Sequence, residues 1–412
     1  MTESKLLTKL LRFKGFRAVC CWFEGRSRFI VVVKPYKNGC RCPECGRRGS
    51  IVQVLSPRLW RDVPLCGWTV WLQHRPREIY CPTHGRVVEE IPWADRFCRI
   101  TYRLEYALLK YSQIMTQKAA SELLHIPTST FSDLLHRAIT RIRKGHRLRR
   151  LKTIGIDEIS YAKGHKYATL VYDLDRCCVV WIGPGKGRET IDRFFSEALS
   201  PYQKAQIKWA CCDMSEAYMG AIQAHCPNAT LVLDRFHIVK ALNTAVDEVR
   251  KEQWRIASDD QRKILKGLRW ILYRHSSTRS RKDTRTLNNL ETGNHRIYSA
   301  SRLKDEFELF WEYTDPSAAQ QFLQNWTTAA LRSRLEPMRK FARMIRRHLP
   351  GILAFIDSRL TNAASEGINR IIQIVKNRAS GFRTLDSFSD LIFLTVGDVD
   401  IPAQIPARFR TL

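Results

Sequence analysis

The sequence predicts a mixed α/β chain, on three observations. Between residues 152 and 234, three strand-like runs follow one another and then give way to alternating helix and strand. Ahead of them, from about 103 to 144, apolar residues recur at helical spacing. Nearer the start, two cysteine-containing knuckles flank a stretch rich in turn residues.

In chain order, residues 18–34, with FIVVV at 29–33, alternate and read as strand. CRCPECGRRG spans 40–49, and a mixed stretch follows to CPTHG at 81–85. RLEYALLKY, QKAASELL and STFSDLLHRAITRI give three successive helices, and RIRKGHRLRRLK at 141–152 reads as a basic linker or arm. KTIGIDEIS (152–160), HKYATLVYDL (165–174) and CCVVWIG (177–183) are the three consecutive strands. ETIDRFFSEAL (helix), IKWACCD (strand), SEAYMGAIQAHC (helix) and ATLVLD (strand) follow. That is the element order of a ribonuclease-H-like core. Residues 236–350 read as a basic, mostly helical insertion holding Trp254, Trp270, Trp311 and Trp326, before a last amphipathic helix near 358–377. The expected organisation is a zinc-binding β module over 1–100 and a helix-turn-helix domain over 101–148. The core then occupies 149–238 and 351–398 around an insertion over 239–350, with a tail at 399–412.

Composition narrows the function classes. The 412 residues are 44% hydrophobic and 10% aromatic, enough to bury real cores. Lys and Arg number 69 against 40 Asp and Glu, a formal net charge of +29 spread along the whole chain. Such a field attracts polyanions, of which nucleic acid is the commonest. The first residues hold no uninterrupted apolar stretch of the signal-peptide kind. No run reaches the roughly 18 apolar residues of a membrane-spanning helix. Thirteen cysteines, an odd number scattered as pairs and singles, fit a reducing cytoplasm with some thiols reserved for metal.

Cys42 and Cys45 form C-x-x-C, and Cys81 and His84 form C-x-x-H. Two tight turns each offering two soft ligands supply the four positions of a closed structural zinc site. Cys40 stands close enough to compete with Cys42. With no position left open for water, a catalytic zinc is the poorer fit.

Within 116–140, TQKAASELLHIPTSTFSDLLHRAIT gives two helices around an IPTS turn, the second capped by Thr128 or Ser129. Ala119, Ala120, Leu123 and Leu124 are the expected inner face of the first, and Phe131, Leu134 and Leu135 that of the second. An ordinary helical hairpin shares this pattern. The downstream Arg141, Arg143 and Lys144 favour the DNA-reading form.

Three acids stand where strands end or a late helix faces the core: Asp157 in IGIDE, Asp213 after IKWACC, and Glu366 in LTNAASEGINRIIQIVK. Each alone is as readily a salt-bridged surface residue. Together, at these places in one topology, they suit two Mg²⁺ or Mn²⁺ ions, because hard cations want oxygen ligands and an unpaired charge at an apolar strand tip is costly.

These phrases resemble a known family. From about 40 to 395 the chain is similar to insertion-sequence transposases of the ISL-three family, on GIDEISYAKGHKYATLVYDL, DMSEAY, HCPNATLVLDRFHIVKALNTAVDEVR and NAASEGINRIIQIVKNRASGFR. The resemblance implies a DDE catalytic triad at Asp157, Asp213 and Glu366. It also implies a D-x-x-H pair, Asp234 and His237, in support, for which a capping Asp and a packed His is the alternative. The family's knuckle commonly has four cysteines; His84 replaces one here, which zinc accepts. Asn362 and Asn369 are placed to share the face of Glu366, where they can orient it or touch DNA, simple helix-face polarity being the equal alternative. Lys376, Arg378 and Arg383 are candidate phosphate contacts, alongside the solvated basic face that any Lys or Arg presents.

The expected activity is strand cleavage by water and strand transfer by the freed 3′-hydroxyl, at the terminal inverted repeats of an insertion sequence. The expected partner is double-stranded DNA, gripped by at least a dimer, with neither a membrane nor a small-molecule substrate. The alternative is a zinc-ribbon and helix-turn-helix DNA-binding regulator on an inactive transposase core.

Overall fold

The computed structural model describes residues 2–36, 40–144, 148, 150–360, 363–399 and 401. It divides into two compact units, residues 1–147 with 372–412, and residues 148–371.

In the first unit, α1 (Glu3–Leu11) leads into β1 (Phe16–Glu24) and β2 (Arg28–Pro35). Then come β3 (Cys40–Arg41), β4 (Arg48–Val54), β5 (Arg58–Arg61), β6 (Thr69–His74), β7 (Arg77–Cys81) and β8 (Gly85–Val88). They form two four-stranded sheets, ordered β1-β2-β6-β5 and β3-β4-β7-β8. The single strand expected over 18–34 is a hairpin, broken where Gly25 takes a φ of 60°. Trp93, fully buried, centres the first sheet's core; its ring lies 5.2 Å from Phe13 and 5.7 Å from Trp60.

A buried ionic knot ties the strand ends together. Glu89 accepts from Arg77 Nε at 2.9 Å and from the Arg77 backbone N–H at 2.9 Å, and lies 3.2 Å from His74 Nε2. Burial alone would push this carboxyl up. Hydrogen bonds from His74 and Arg77 outweigh burial and hold it below its ordinary range. A carboxyl depressed in the folded state adds stability above its unfolded pKa, and that stability is lost as pH falls through the folded value. Glu89→Ala leaves Arg77 buried without its partner and is expected to cost about 3–5 kcal/mol at neutral pH. Urea unfolding checks this, and the deficit against wild type should shrink toward acid pH.

Helices α2 (Tyr102–Ile114), α3 (Gln117–Leu123) and α4 (Thr128–Lys144) follow. Thr101 and Thr116 cap the first two by accepting from the N–H groups of Leu104 and Ala119. Ala120, Leu124, Phe131 and Leu135 are buried at the α3–α4 crossing, as their spacing predicts. Leu123 is 56% exposed, because α3 ends there and the chain turns at His125 with φ 51°. A helix at Leu385–Val396, not expected from the sequence, packs on α2 and α4, with Asp390 accepting from His136 at 2.9 Å.

The second unit is built on a five-stranded sheet. Its strands are β9 (Thr153–Ala162), β10 (Lys166–Asp173), β11 (Cys178–Pro184), β12 (Trp209–Cys212) and β13 (Thr230–Leu233), in the order β11-β10-β9-β12-β13. The first three pair antiparallel, while β9, β12 and β13 run parallel. Helices α5 (Arg188–Arg193), α6 (Pro201–Ala205) and α7 (Glu216–His225) connect them. Phe194, Phe195, Tyr218 and Ile222 bury one apolar cluster with Ile154 and Ile156 of β9.

A long helix α8 (Arg235–Ile256) leaves β13 for the helical region expected there: α9 (Asp259–Leu265), α10 (Leu268–Tyr273), α11 (Arg281–Asn288), α12 (Leu290–Gly293) and α13 (His295–Glu308). α14 (Pro316–Arg332), α15 (Glu336–Arg347) and α16 (Leu349–Ser358) complete it. Trp311 and Trp326 are buried with Phe307 and Phe341 in its core. α16 returns onto β13, so closely at Gly351 that a Cβ there would stand 2.9 Å from Leu233 Cγ. α17 (Ala363–Arg378) carries the chain across the boundary between the units. No described helix is long and apolar enough to cross a membrane.

Candidate active site and metal centre

Two turns build the cysteine–histidine cluster. After β3 the chain folds back on itself, Gly46 N–H donating to the Cys42 carbonyl at 2.9 Å with φ 69° at the glycine. The β7–β8 hairpin pairs Cys81 with Gly85 and sets His84 inside its tip. The ligand atoms of Cys42, Cys45, Cys81 and His84 all lie within 4.8 Å of one another. Cys45 Sγ stands 3.6 Å from Cys81 Sγ, and His84 Nδ1 stands 3.7 Å from Cys42 Sγ and 3.8 Å from Cys81 Sγ. Tetrahedral zinc with bonds of about 2.3 Å to sulfur and 2.0 Å to nitrogen sets neighbouring ligands at such separations. The Thr83 backbone N–H, and then the His84 ring, hold the Cys81 thiol down at about 6, so it is a thiolate at neutral pH. Three soft sulfurs and an imidazole are the donor set of a closed structural zinc site. Cys40 is outside it; burial and the neighbouring Glu89 push that thiol up to about 11.

In the second unit, strand register aligns the acids. Ala210 pairs with Ile154 and Cys211 with Gly155, while Cys212 pairs with Leu233. Continued by one or two residues, these registers set Asp157, Asp213 and Asp234 level across β9, β12 and β13. Neighbouring strands are about 4.8 Å apart, so in-register side chains share a face. Asp213 accepts from the Ser215 N–H at 3.0 Å. Asp234 caps α8 by accepting from the Phe236 N–H at 3.1 Å and lies 3.7 Å from His237 Nε2.

α17 joins this row at a point prepared by glycine. A Cβ at Gly155 would meet Leu174 Cδ2 at 2.9 Å and Ser365 Oγ at 3.1 Å, so the bare backbone there eases the close approach of the helix to β9. Asn369 then donates to Asp157 Oδ2 at 2.8 Å, and its own oxygen accepts from the buried Tyr172 hydroxyl at 2.6 Å. Glu366, one turn earlier and exposed, lines the same cavity of about 400 Å³ as Asp157, Asp234, His237 and Asn369. Burial pushes the Asp157 carboxyl up and the charge of Asp213 adds to it, against the Glu158 N–H, Asn369 and His237. A divalent cation held here would supply the counter-charge that this carboxyl lacks.

Asp157, Asp213 and Glu366 are not gathered as tightly as the four zinc-type ligands, which form the only such group among the described residues. A pair of ions about 3.5–4 Å apart needs a wider ligand set than one tetrahedral ion does. Asn362 lies outside the described residues. Asn369, expected to share the face of Glu366, lines the same cavity as Glu366 and fastens Asp157 there. Tyr172 escaped the sequence altogether, although a tyrosine in an apolar strand needs a partner for its hydroxyl. Asn369→Ala should slow any reaction at Asp157 about 10- to 100-fold, the usual cost of losing an outer partner of a metal ligand. Cleavage kinetics at saturating Mn²⁺ check this.

The basic candidates fare unequally. Arg141 is bound to Asp95 at 3.0 Å and to Glu105, and the Arg143 guanidinium sits 3.5 Å over the Phe393 ring. Arg378 donates to the Gln113 and Ser112 carbonyls at 2.8 and 3.1 Å, closing the C-terminal end of α2. Lys144 and Arg383 are exposed, and Lys376 is half-buried.

Comparison with known proteins bears on this arrangement. A family model of DDE transposases of the ISL-three type, described as "Transposase", matches residues 154–392, more than half of the chain. The transposase for insertion sequence element IS1001 of Bordetella parapertussis is 32% identical over 394 residues, covering 94% of this chain and 97% of that protein. The transposase for insertion sequence element IS1557 of Mycobacterium tuberculosis, from strains CDC 1551 / Oshkosh and H37Rv, is 28% identical over 396 residues, covering 90% and 89%. With a site assembled from strand-end carboxylates and a late helix, and with relatives matched along almost its full length, the chain belongs to the ISL-three family of DDE transposases.

Proposed function

We propose that this transposase binds the terminal inverted repeats of its own insertion sequence and carries out metal-dependent strand cleavage and strand transfer there. Its β9–β13 sheet is read as a ribonuclease-H-like core, on the strand order and the mixed antiparallel and parallel pairing. Asp157, Asp213 and Glu366 are the proposed ligands of two Mg²⁺ or Mn²⁺ ions, which when bound activate the attacking oxygen and stabilise the leaving one. Asn369, locked by Tyr172, orients Asp157, and Asp234 positions His237 beside it. The zinc site of Cys42, Cys45, Cys81 and His84 holds the β3-β4-β7-β8 sheet in shape. α3 and α4 are the proposed helix-turn-helix, its exposed α4 face toward DNA, with Lys144, Lys376 and Arg383 as phosphate contacts. Arg141 and Arg378 shape that surface from their packed positions, and Arg143, exposed while stacked on Phe393, stands with the phosphate contacts. Bringing two element ends together calls for at least a dimer in the cytoplasm, acting on double-stranded DNA and on no small molecule.

The observation that carries this proposal is the common level of Asp157, Asp213 and Asp234, with Glu366 on the same cavity as Asp157. The test is a strand-transfer assay on inverted-repeat DNA with Mg²⁺ or Mn²⁺, wild type against Asp157→Ala. Joining that is lost in the variant supports the proposal. Cutting without joining points to a nuclease, and binding without cutting to a regulator on an inactive core.

A further inference from the structure

The helical region carries a second cleft, of about 440 Å³, with no lining residue in common with the carboxylate cavity and lined by Trp254, Trp270 and residues in and between α8 and α10. Five cations line it: Arg250, Lys251, Arg255, Lys266 and Arg269. Among the described residues, only the buried Asp247 pairs with them, bound to Arg250 at 2.8 Å and Lys251 at 3.0 Å, with Arg269 at 4.0 Å. Arg255 and Lys266 are exposed and have no acidic partner among the described residues. Nearby acids are engaged elsewhere: Glu252 with Arg296, Asp259 with Arg262, and Asp260 with Lys263.

At the rim stands Trp270, 65% exposed, in contrast to the buried Trp311 and Trp326 of the same region. Arg269 lies 5.5 Å from its ring centroid and Tyr273 meets it edge-on at 6.2 Å, steadying the indole without covering it. An exposed indole among unpaired cations offers two things at once, a stacking surface and phosphate contacts. Duplex DNA keeps its bases stacked inside and uses only the second; an unpaired strand uses both.

We propose that this cleft binds an unpaired stretch of DNA, one base stacking on Trp270 while Arg255 and Lys266 take the flanking phosphates. It rests on DNA being this protein's substrate. It adds a grip for a single strand, as cleavage and transfer must expose one, in a cleft that shares no lining residue with the cavity of Asp157.

The test uses the full chain and a short oligothymidylate carrying one 5-iododeoxyuridine, whose photochemistry joins it to a stacked aromatic ring. Peptide mapping after irradiation is expected to find the adduct on Trp270. Trp270→Ala should weaken binding of the oligomer about five- to hundredfold, the range for one base–aromatic stack, and Trp270→Phe should restore most of it. Arg255→Gln and Lys266→Gln should each flatten the slope of log affinity against log salt by about 0.7. An adduct elsewhere with unchanged affinity in Trp270→Ala overturns the proposal. Equal weakening for a blunt duplex overturns it too, since the cleft would then be a backbone clamp. Metal-dependent nicking of element-end DNA by the wild type is scored in parallel. Nicking without the Trp270 adduct sinks the cleft alone, and the adduct without nicking sinks the transposase chemistry alone.

Discussion

Asp157→Asn is expected to lower strand cleavage at least about a thousandfold while leaving DNA binding and the fold in place. Metal stabilisation of a phosphoryl transition state is worth several kcal/mol, and each 1.36 kcal/mol is about tenfold in rate. The amide keeps the size of the side chain and can still meet the Glu158 N–H, now at 2.8 Å from Asp157 Oδ1. What it loses is the charge that a cation needs, together with the Oδ2 acceptor that Asn369 meets. Because burial and Asp213 already press on that charge, its removal should not destabilise the metal-free protein. Mn²⁺ should raise the melting temperature of wild type and not of the variant. Cleavage within tenfold of wild type, or an equal Mn²⁺ effect on both proteins, would place the ions elsewhere.

Loss of the zinc ligands should be the largest stability change. Structural zinc in small modules contributes roughly 10–16 kcal/mol of apparent binding energy at neutral pH, which is also folding energy. The sheet it would hold has little else: its apolar cluster consists of Cys40, Cys42, Ile79 and Cys81, with Val87 packed against it. Four of its strands' apolar residues, Ile51, Val52, Val54 and Tyr80, face solvent. Cys81→Ser, or prolonged chelation, is therefore expected to release one zinc per chain and open residues 40–88 to proteolysis. Measured zinc content and cleavage within that span check this. Full zinc occupancy in Cys81→Ser, or a span that stays resistant without metal, would contradict it.

The parts of this architecture written locally were legible, and those made by distant contacts were not. β9 to β13 announced themselves because both faces of that sheet are covered, so their strands are near-continuous apolar runs such as TLVYD and WACC. β4 gave no such signal: six of its seven residues are exposed, so no alternation marks it. The knuckles were readable because metal ligands keep a fixed spacing, yet the sequence left Cys40 and Cys42 in competition. The β3–β4 pairing resolves it by turning Cys40 toward Glu89.

Charge was the least legible property. Arg141 and Arg378 look like DNA contacts in the sequence, but one is neutralised by Asp95 and Glu105 and the other spends its donors on carbonyls of α2. A cation's availability depends on partners far along the chain. The Asn369–Asp157 bond, spanning 212 positions, is hidden for the same reason. Among the tryptophans, helical spacing could not separate the buried Trp311 and Trp326 from the exposed Trp270.

The account turns on whether Asp157, Asp213 and Glu366 share divalent cations. Anomalous diffraction from crystals of the protein with element-end DNA and Mn²⁺ measures this directly. Two peaks about 3.5–4 Å apart, ligated by oxygens of those three residues, are the predicted result. Mn²⁺ bound elsewhere, with the three carboxylates apart and uncoordinated, would contradict it.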